Sequence, residues 1–301
     1  MSTLDTPFFQ EIPENVGPLF HYTDAGGLLG MVQYKKLWLT SIHYQNDSQE
    51  YYYAFDLVKE ILEKHYPGLL QYSEVYSREK TSTVFTFSLS ERKDLLSQWR
   101  GYCPDGGFAI SFNKSQLNEL VASEDILVAK CIYDKKEQIS FIIDNVIEFK
   151  PEYYMQRLEL EKDPLHVKDM QIFYFNKQIF NKITRIAPLL KDCSFSEEQE
   201  WRLIKVLQTS SDAQSLGDSV KKYIAENTVK IRARKNKLIP YIELPLNRCN
   251  NEPVAISEIV ISPTPHKELA LDACNALLFA ESRVINHGVK IKNSKIPYIN
   301  W

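Results

Sequence analysis

Between Lys135 and Lys191 the apolar residues recur at helical spacing without strand-like alternation, and on both sides of that block the sequence reads as strands. Strands that precede and follow a helical block, instead of alternating with helices one by one, point to a mixed α+β fold and away from a doubly wound parallel sheet. No G-x-G-x-x-G follows a strand and no G-x-x-x-x-G-K-S/T occurs, so dinucleotide-binding and P-loop architectures have no footing. No Gly/Ser or Pro-rich linker cuts the 301 residues. The expectation is one elaborated domain over 1–301, with 135–191 as a helical insertion within it.

Local patterns fill in that outline. A short strand in "PLFHYTD" and a helix over "AGGLLGMVQYKK" precede the alternating strand "KLWLTS". "NDSQEYYYAFDLVKEILEKHYP" is expected to be a helix that Asp47 caps with Glu50 three residues on, ending at Pro67-Gly68. Further strands are read in "TSTVFTFSLSE", "GFAISF", "ILVAKCIYD", "EWRLIKVL", "TVKIRARK", "LIPYIEL", "ISEIVISP" and "HGVKIKNSKIPYI". Helices are read over "ERKDLLSQWRGY", "NKSQLNELV" and "TPHKELALDACNALLFA", the last with Thr264 as cap and Pro265 at its first position.

Charge and cysteine usage narrow the function classes. A net charge of −3 gives no global field to recruit nucleic acid, so such binding needs a local basic patch. Five widely spaced cysteines suit reduced thiols in a cytoplasm better than a disulfide framework or a zinc site. The first residues lack the pattern of a secretory signal, and no apolar run reaches the roughly 18 residues of a membrane span. A soluble, cytoplasmic protein without a metal is expected.

Candidate chemistry falls on five stretches. In "SEEQEWRLIKV", Glu198 and Glu200 have the spacing that, in an extended segment, directs two side chains the same way; one carboxylate could stabilise a cationic transition state and the other take a proton. The plainer reading is a solvated acidic loop with Arg202 paired to a nearby carboxylate. In "FHYTD", His21 stands within a short strand, and a structural role competes with a functional one. Tyr44 and Asn46, leaving the second strand, offer a ring to stack on a flat ligand and an amide to bond it. Ser88, Arg100 and Tyr102 surround the end of "FTFSLS", where Arg100 could hold a phosphate. Lys230, Arg232 and Arg234 alternate along "KIRARK" as a basic stripe suited to phosphate or nucleic acid, or as a charged strand edge. Neither G-x-S-x-G nor a Cys/His arrangement stands out, which disfavours hydrolases with an activated serine or cysteine.

Taken in order, "LFHYTDAGGLLGMVQYKKLWLTSIHYQNDSQE", "FTFSLSERKDLLSQWRGYCPDGGFAISF", "EEQEWRLI", "ISEIVISP" and "VKIKNSKIPY" together resemble the bacterial domain-of-unknown-function 2971 family, whose pattern in turn is similar to the ADP-ribosyltransferase fold. The resemblance implies split, mixed and mostly antiparallel sheets that clamp NAD in a cleft. It implies an NAD-consuming ADP-ribosyltransferase, of the kind found among bacterial toxins or phage-defence effectors. An NAD glycohydrolase, or a non-catalytic sensor that binds nucleotide or nucleic acid, would carry the same pattern.

Carried over residue by residue, the resemblance gives Glu200 the oxocarbenium-facing role, Glu198 activation of the acceptor, and His21 a ribose hydroxyl, while Glu197 faces solvent. Tyr22, Thr23, Tyr44, Asn46, Ser88, Arg100 and Tyr102 join His21 as nucleotide-binding candidates. The pattern departs from the His-Tyr-Glu branch in having no tyrosine cleanly at the nicotinamide-stacking position. His21 and Glu200 are expected to meet across a dinucleotide-sized cleft.

Overall fold

The computed structural model describes residues 11–45, 49–65, 83–147, 179–207, 216–234, 236–246, 256–281 and 288–297. Its framework is a ten-stranded sheet built from β1 (Phe20–Thr23), β2 (Lys36–Ser41), β3 (Val84–Ser90), β4 (Phe108–Phe112), β5 (Leu127–Lys130), β6 (Glu200–Val206), β7 (Val229–Arg234), β8 (Lys237–Pro245), β9 (Ile256–Ile261) and β10 (Lys290–Asn293). The main path runs β10-β9-β4-β1-β3-β2-β8-β7; β6 lies on the other edge of β3, with β5 beyond it. Every pairing is antiparallel except that of β9 with β10, so the sheet is mixed and the α+β class holds.

The helices are α1 (Ala25–Tyr34), α2 (Gln49–His65), α3 (Leu96–Tyr102), α4 (Lys114–Ser123), α5 (Lys135–Ile142), α6 (Leu216–Ala225) and α7 (Lys267–Ala280), with a further helical stretch over 179–186. Asp24 caps α1 by accepting from Gly27 N at 2.8 Å. A Cβ at Gly27 would lie 1.9 Å from Thr23 Oγ1, so glycine there lets the helix leave directly from β1. The α7 expectation needs correcting. The helix starts at Lys267, because Thr264 Oγ1 accepts from His266 N (3.2 Å) and closes a local turn that leaves Pro265 outside. The expected cap at Asp47 and the stop at Pro67-Gly68 lie outside the described residues. Helix α6 was not anticipated; Val220 and Tyr223 pack into the core from it.

One edge of β3 is shared. Its far end pairs with β1 (Phe20 opposite Ser90) and its near end with β2 (Thr40 opposite Thr86, Ser41 opposite Phe85). Between these contacts the two strands diverge, and His21 Nδ1 hydrogen-bonds the Ser88 carbonyl at 2.9 Å in place of a backbone partner. This fork separates a β1-β4-β9-β10 wing from a β2-β8-β7 wing.

Alternation along the strands assigns the cores to the two faces. Leu37, Leu39, Phe85, Phe87, Leu89, Ile110, Trp201 and Leu203 belong to one large buried cluster that also takes in α1 and α4. On the opposite face there are two clusters. One joins Val84 and Ile204 to α2, α5 and 179–190; the other joins Phe20, Tyr22 and Ala109 to Trp99 of α3.

The described parts of the helical block belong to the first of these clusters; 148–178 lie outside the described residues. The ends of the block are stapled together: Ile132 N donates to Leu189 O (2.8 Å), Lys191 N to Ile132 O (3.1 Å), and the Gln138 amide to both Ile132 O and Lys191 O. The long excursion therefore delivers Lys191 beside the strand it left. Among the described residues no helix is long and apolar enough to cross a membrane.

Candidate functional site

Between the two clusters of the second face runs a polar band. Register places Glu200 and Arg202 of β6, Thr86, Ser88 and Ser90 of β3, Trp38 and Thr40 of β2, Tyr241 and Glu243 of β8, and Lys230 and Arg232 of β7 on that one face. Four strand spacings give it a width of roughly 19 Å. Its β6 end is sealed, with Arg202 and Glu200 buried, whereas Ser88, Thr40 and Trp38 at the fork are half-buried and reachable.

The sealed end is a charge cluster. Arg202 grips Glu200 bidentately, Nε to Oε1 at 2.7 Å and Nη2 to Oε2 at 2.9 Å, and its Nη1 donates to Pro188 O at 2.8 Å. Lys191 Nζ donates to Glu200 Oε2 at 2.7 Å and to Glu198 Oε2. Burial alone would raise the Glu200 pKa, but the charges of Arg202 and then Lys191 outweigh it and hold the carboxyl down to about 2. Burial, followed by the nearby Glu200 and Glu198 charges, pushes the Tyr102 phenol up. Tyr133 Oη accepts from Glu200 N at 2.9 Å, and burial raises its phenol as well.

The two acids converge for a reason other than strand alternation. Glu198 ends a 3₁₀ stretch, Cys193–Glu198, and Gln199 turns through the left-handed region (φ 45°) before β6 begins. That turn aims both carboxylates at Lys191. Glu198 and Glu200 are therefore not the solvated loop of the plainer reading, although its pairing of Arg202 with a carboxylate is present; Glu197 is exposed.

At the outer end, Glu243 Oε2 accepts from Lys36 Nζ (2.5 Å) and Lys230 Nζ (2.9 Å). The Arg232 guanidinium lies 5.1 Å from the Trp38 ring centroid and 5.4 Å from that of Tyr241, and its Nη2 donates to Thr40 Oγ1 at 2.8 Å. Lys230 and Arg232 share a face as expected, and the Arg234 side chain lies outside the described residues.

The other candidates scatter around the band. Phe20, Ser90 and Glu200 stand abreast on three neighbouring strands, so Phe20 projects to the Glu200 face and His21 to the other. The His21 ring accordingly stacks on Phe87 (centroids 4.0 Å apart), and the sheet stands between imidazole and carboxylate. The two residues are close along the sheet without sharing a cleft wall. Tyr22 is buried against Trp99, and its hydroxyl donates to Arg92 O at 2.7 Å. The Thr23 carbonyl accepts from Cys103 Sγ. Tyr44 is exposed on a turn next to Gln45, whose amide bonds Thr86 Oγ1 in the band. Arg100 is exposed on α3, and Asn46 lies outside the described residues.

Residues 98–203 match a family model described as "Protein of unknown function (DUF2971)". The DUF2971 span begins in α3 and ends in β6, so it encloses Tyr102, Tyr133, Lys191, Glu198, Glu200 and Arg202. No curated protein and no solved structure matches the chain.

Sequence reasoning overlooked Lys191, which reads as the last charge of a helical block, and Trp38 and Glu243, which read as ordinary strand residues. The signal that could have found the last two is alternation: Trp38 faces away from the apolar Leu37 and Leu39, and Glu243 away from Ile242 and Leu244. Among the described residues no group of three or more His, Cys, Asp or Glu side chains is placed to hold a metal.

Proposed function

We propose that the chain is a nucleotide-binding module whose ligand lies in the polar band at the fork, and that it senses this ligand without turning it over. The reading rests above all on the state of Glu200. Cleaving a nicotinamide glycosidic bond calls for negative charge aimed at an oxocarbenium-like ribose. Here both Glu200 oxygens accept from cations at 2.7–2.9 Å, and the charges of Glu198 and Glu200 are balanced by those of Lys191 and Arg202. What the band offers a ligand is recognition: the Trp38 ring and the Thr40 and Ser88 hydroxyls.

A second reading, an NAD-consuming ADP-ribosyltransferase of toxin or defence type, or a glycohydrolase if water replaces the acceptor, draws support from one observation. Glu200 lies abreast of Ser90 beside a forked sheet, with a second carboxylate close by. Release of Glu200 from Lys191 on ligand binding would be its first requirement.

Titration calorimetry and a nicotinamide-release assay with NAD decide between the two. The module reading expects NAD to bind, Trp38→Ala to weaken it about tenfold (~1.4 kcal/mol), and no nicotinamide to appear. Nicotinamide release by wild type that is lost in a folded Glu200→Gln variant would instead make the protein an enzyme.

A further inference from the structure

We propose that the outer end of the band, where β2, β8 and β7 lie side by side, is a subsite for the diphosphate of a nucleoside diphosphate. The inference rests on the nucleotide-binding reading and deepens it by naming the group that this end recognises.

Three cations, Lys36, Lys230 and Arg232, project from neighbouring strands onto one face; the two lysines share a single carboxylate, Glu243, and Arg232 lies over the Trp38 and Tyr241 rings. The balance of these four groups is two positive charges, which suits a diphosphate. Glu243 Oε2 already sits between the two lysine ammoniums, at 2.5 and 2.9 Å, in the position a phosphate oxygen would take. The pair is reachable, because the side chains of Lys36 and Lys230 are 38% and 31% exposed.

Arg232 differs from an ordinary surface arginine. Its guanidinium is held over the Trp38 and Tyr241 rings and tethered to Thr40, so it loses little freedom on meeting an anion. In the same patch Trp38 Nε1 is a buried donor that finds no acceptor among the described residues. Tyr34, 60% exposed and stacked on Trp38 with centroids 6.2 Å apart, extends the aromatic surface. A small anion fits this better than a nucleic acid strand, because the cationic patch is short and the whole chain carries a net charge of −3.

The test is calorimetric titration of the full chain with ADP, AMP and adenosine at two salt concentrations. ADP should bind at least about tenfold more tightly than adenosine, with AMP between, and the gap should shrink at high salt. In Lys36→Ala/Lys230→Ala that gap should fall to about twofold while the adenosine affinity is unchanged. Lys267→Ala on α7 serves as a charge control and should keep it. Equal binding of ADP and adenosine, or an unaltered gap in the double variant, overturns the subsite and leaves the nucleotide reading standing. Failure of all three probes to bind removes both. Tighter binding of a short single-stranded oligonucleotide than of ADP overturns the subsite in favour of a nucleic acid surface.

Discussion

At the scale of single residues, Glu200 is the point on which the sealed end of the band turns. Removing it would leave Arg202 and Lys191 buried beside each other with only Glu198 to answer them, so Glu200→Ala should cost about 3–5 kcal/mol in a denaturant titration. Its folded pKa lies below the ordinary 4.5, so its contribution is present above that value and is lost as pH falls from about 4.5 towards 2. Stability measured across that interval should drop more steeply in wild type than in Glu200→Gln; parallel curves would show that the carboxylate is not the titrating group. The spacing of Glu198 and Glu200 suggested that they act together, but it assumed an extended segment, and a 3₁₀ stretch with a left-handed turn at Gln199 is what brings them together. Lys191 was not legible, because a lysine at the end of a helical block looks the same whether it meets water or two carboxylates until the stapling of Ile132 to Leu189 and Lys191 is known.

At the scale of elements, the loop between β3 and α3 organises its surroundings. Asp94 accepts from Trp99 Nε1 (2.8 Å), Ser294 Oγ (2.6 Å) and Lys295 N (2.8 Å), while Glu91 accepts from Lys130 Nζ (2.7 Å) and Trp201 Nε1 (2.9 Å). Asp94→Ala strands three donors at once. It should cost about 1–3 kcal/mol and alter the near-ultraviolet dichroism of Trp99; an unchanged spectrum would mean that α3 is held by its apolar contacts alone. Most strands were readable, since β2, β3 and β4 alternate or cluster β-prone residues within clear breaks. The α7 start was misread because a Thr-Pro pair can open a helix or close a turn, and the hydrogen bond that chooses lies within two residues. Which strand neighbours which was beyond periodicity, because β3 meets β6 across more than a hundred residues of chain.

For the whole molecule, the sheet separates apolar cores that share few partners. Leu203 and Ile204 are adjacent in sequence, yet one belongs to the large cluster on the first face and the other to the α2 cluster on the second. Each truncation to alanine should cost about 2–5 kcal/mol, and the double variant should lose close to the sum, within ~0.5 kcal/mol, in one cooperative transition. Strong non-additivity would mean that strain passes through the sheet. The fork bears on this coupling. Because an imidazole stands where a strand would otherwise pair, the ladder is interrupted at its middle, and there one ring lying on Phe87 supplies the hydrogen bond to Ser88 O. A seam of that kind accommodates drift in neighbouring segments without unpicking either half, much as an expansion joint spares the spans on both sides of it.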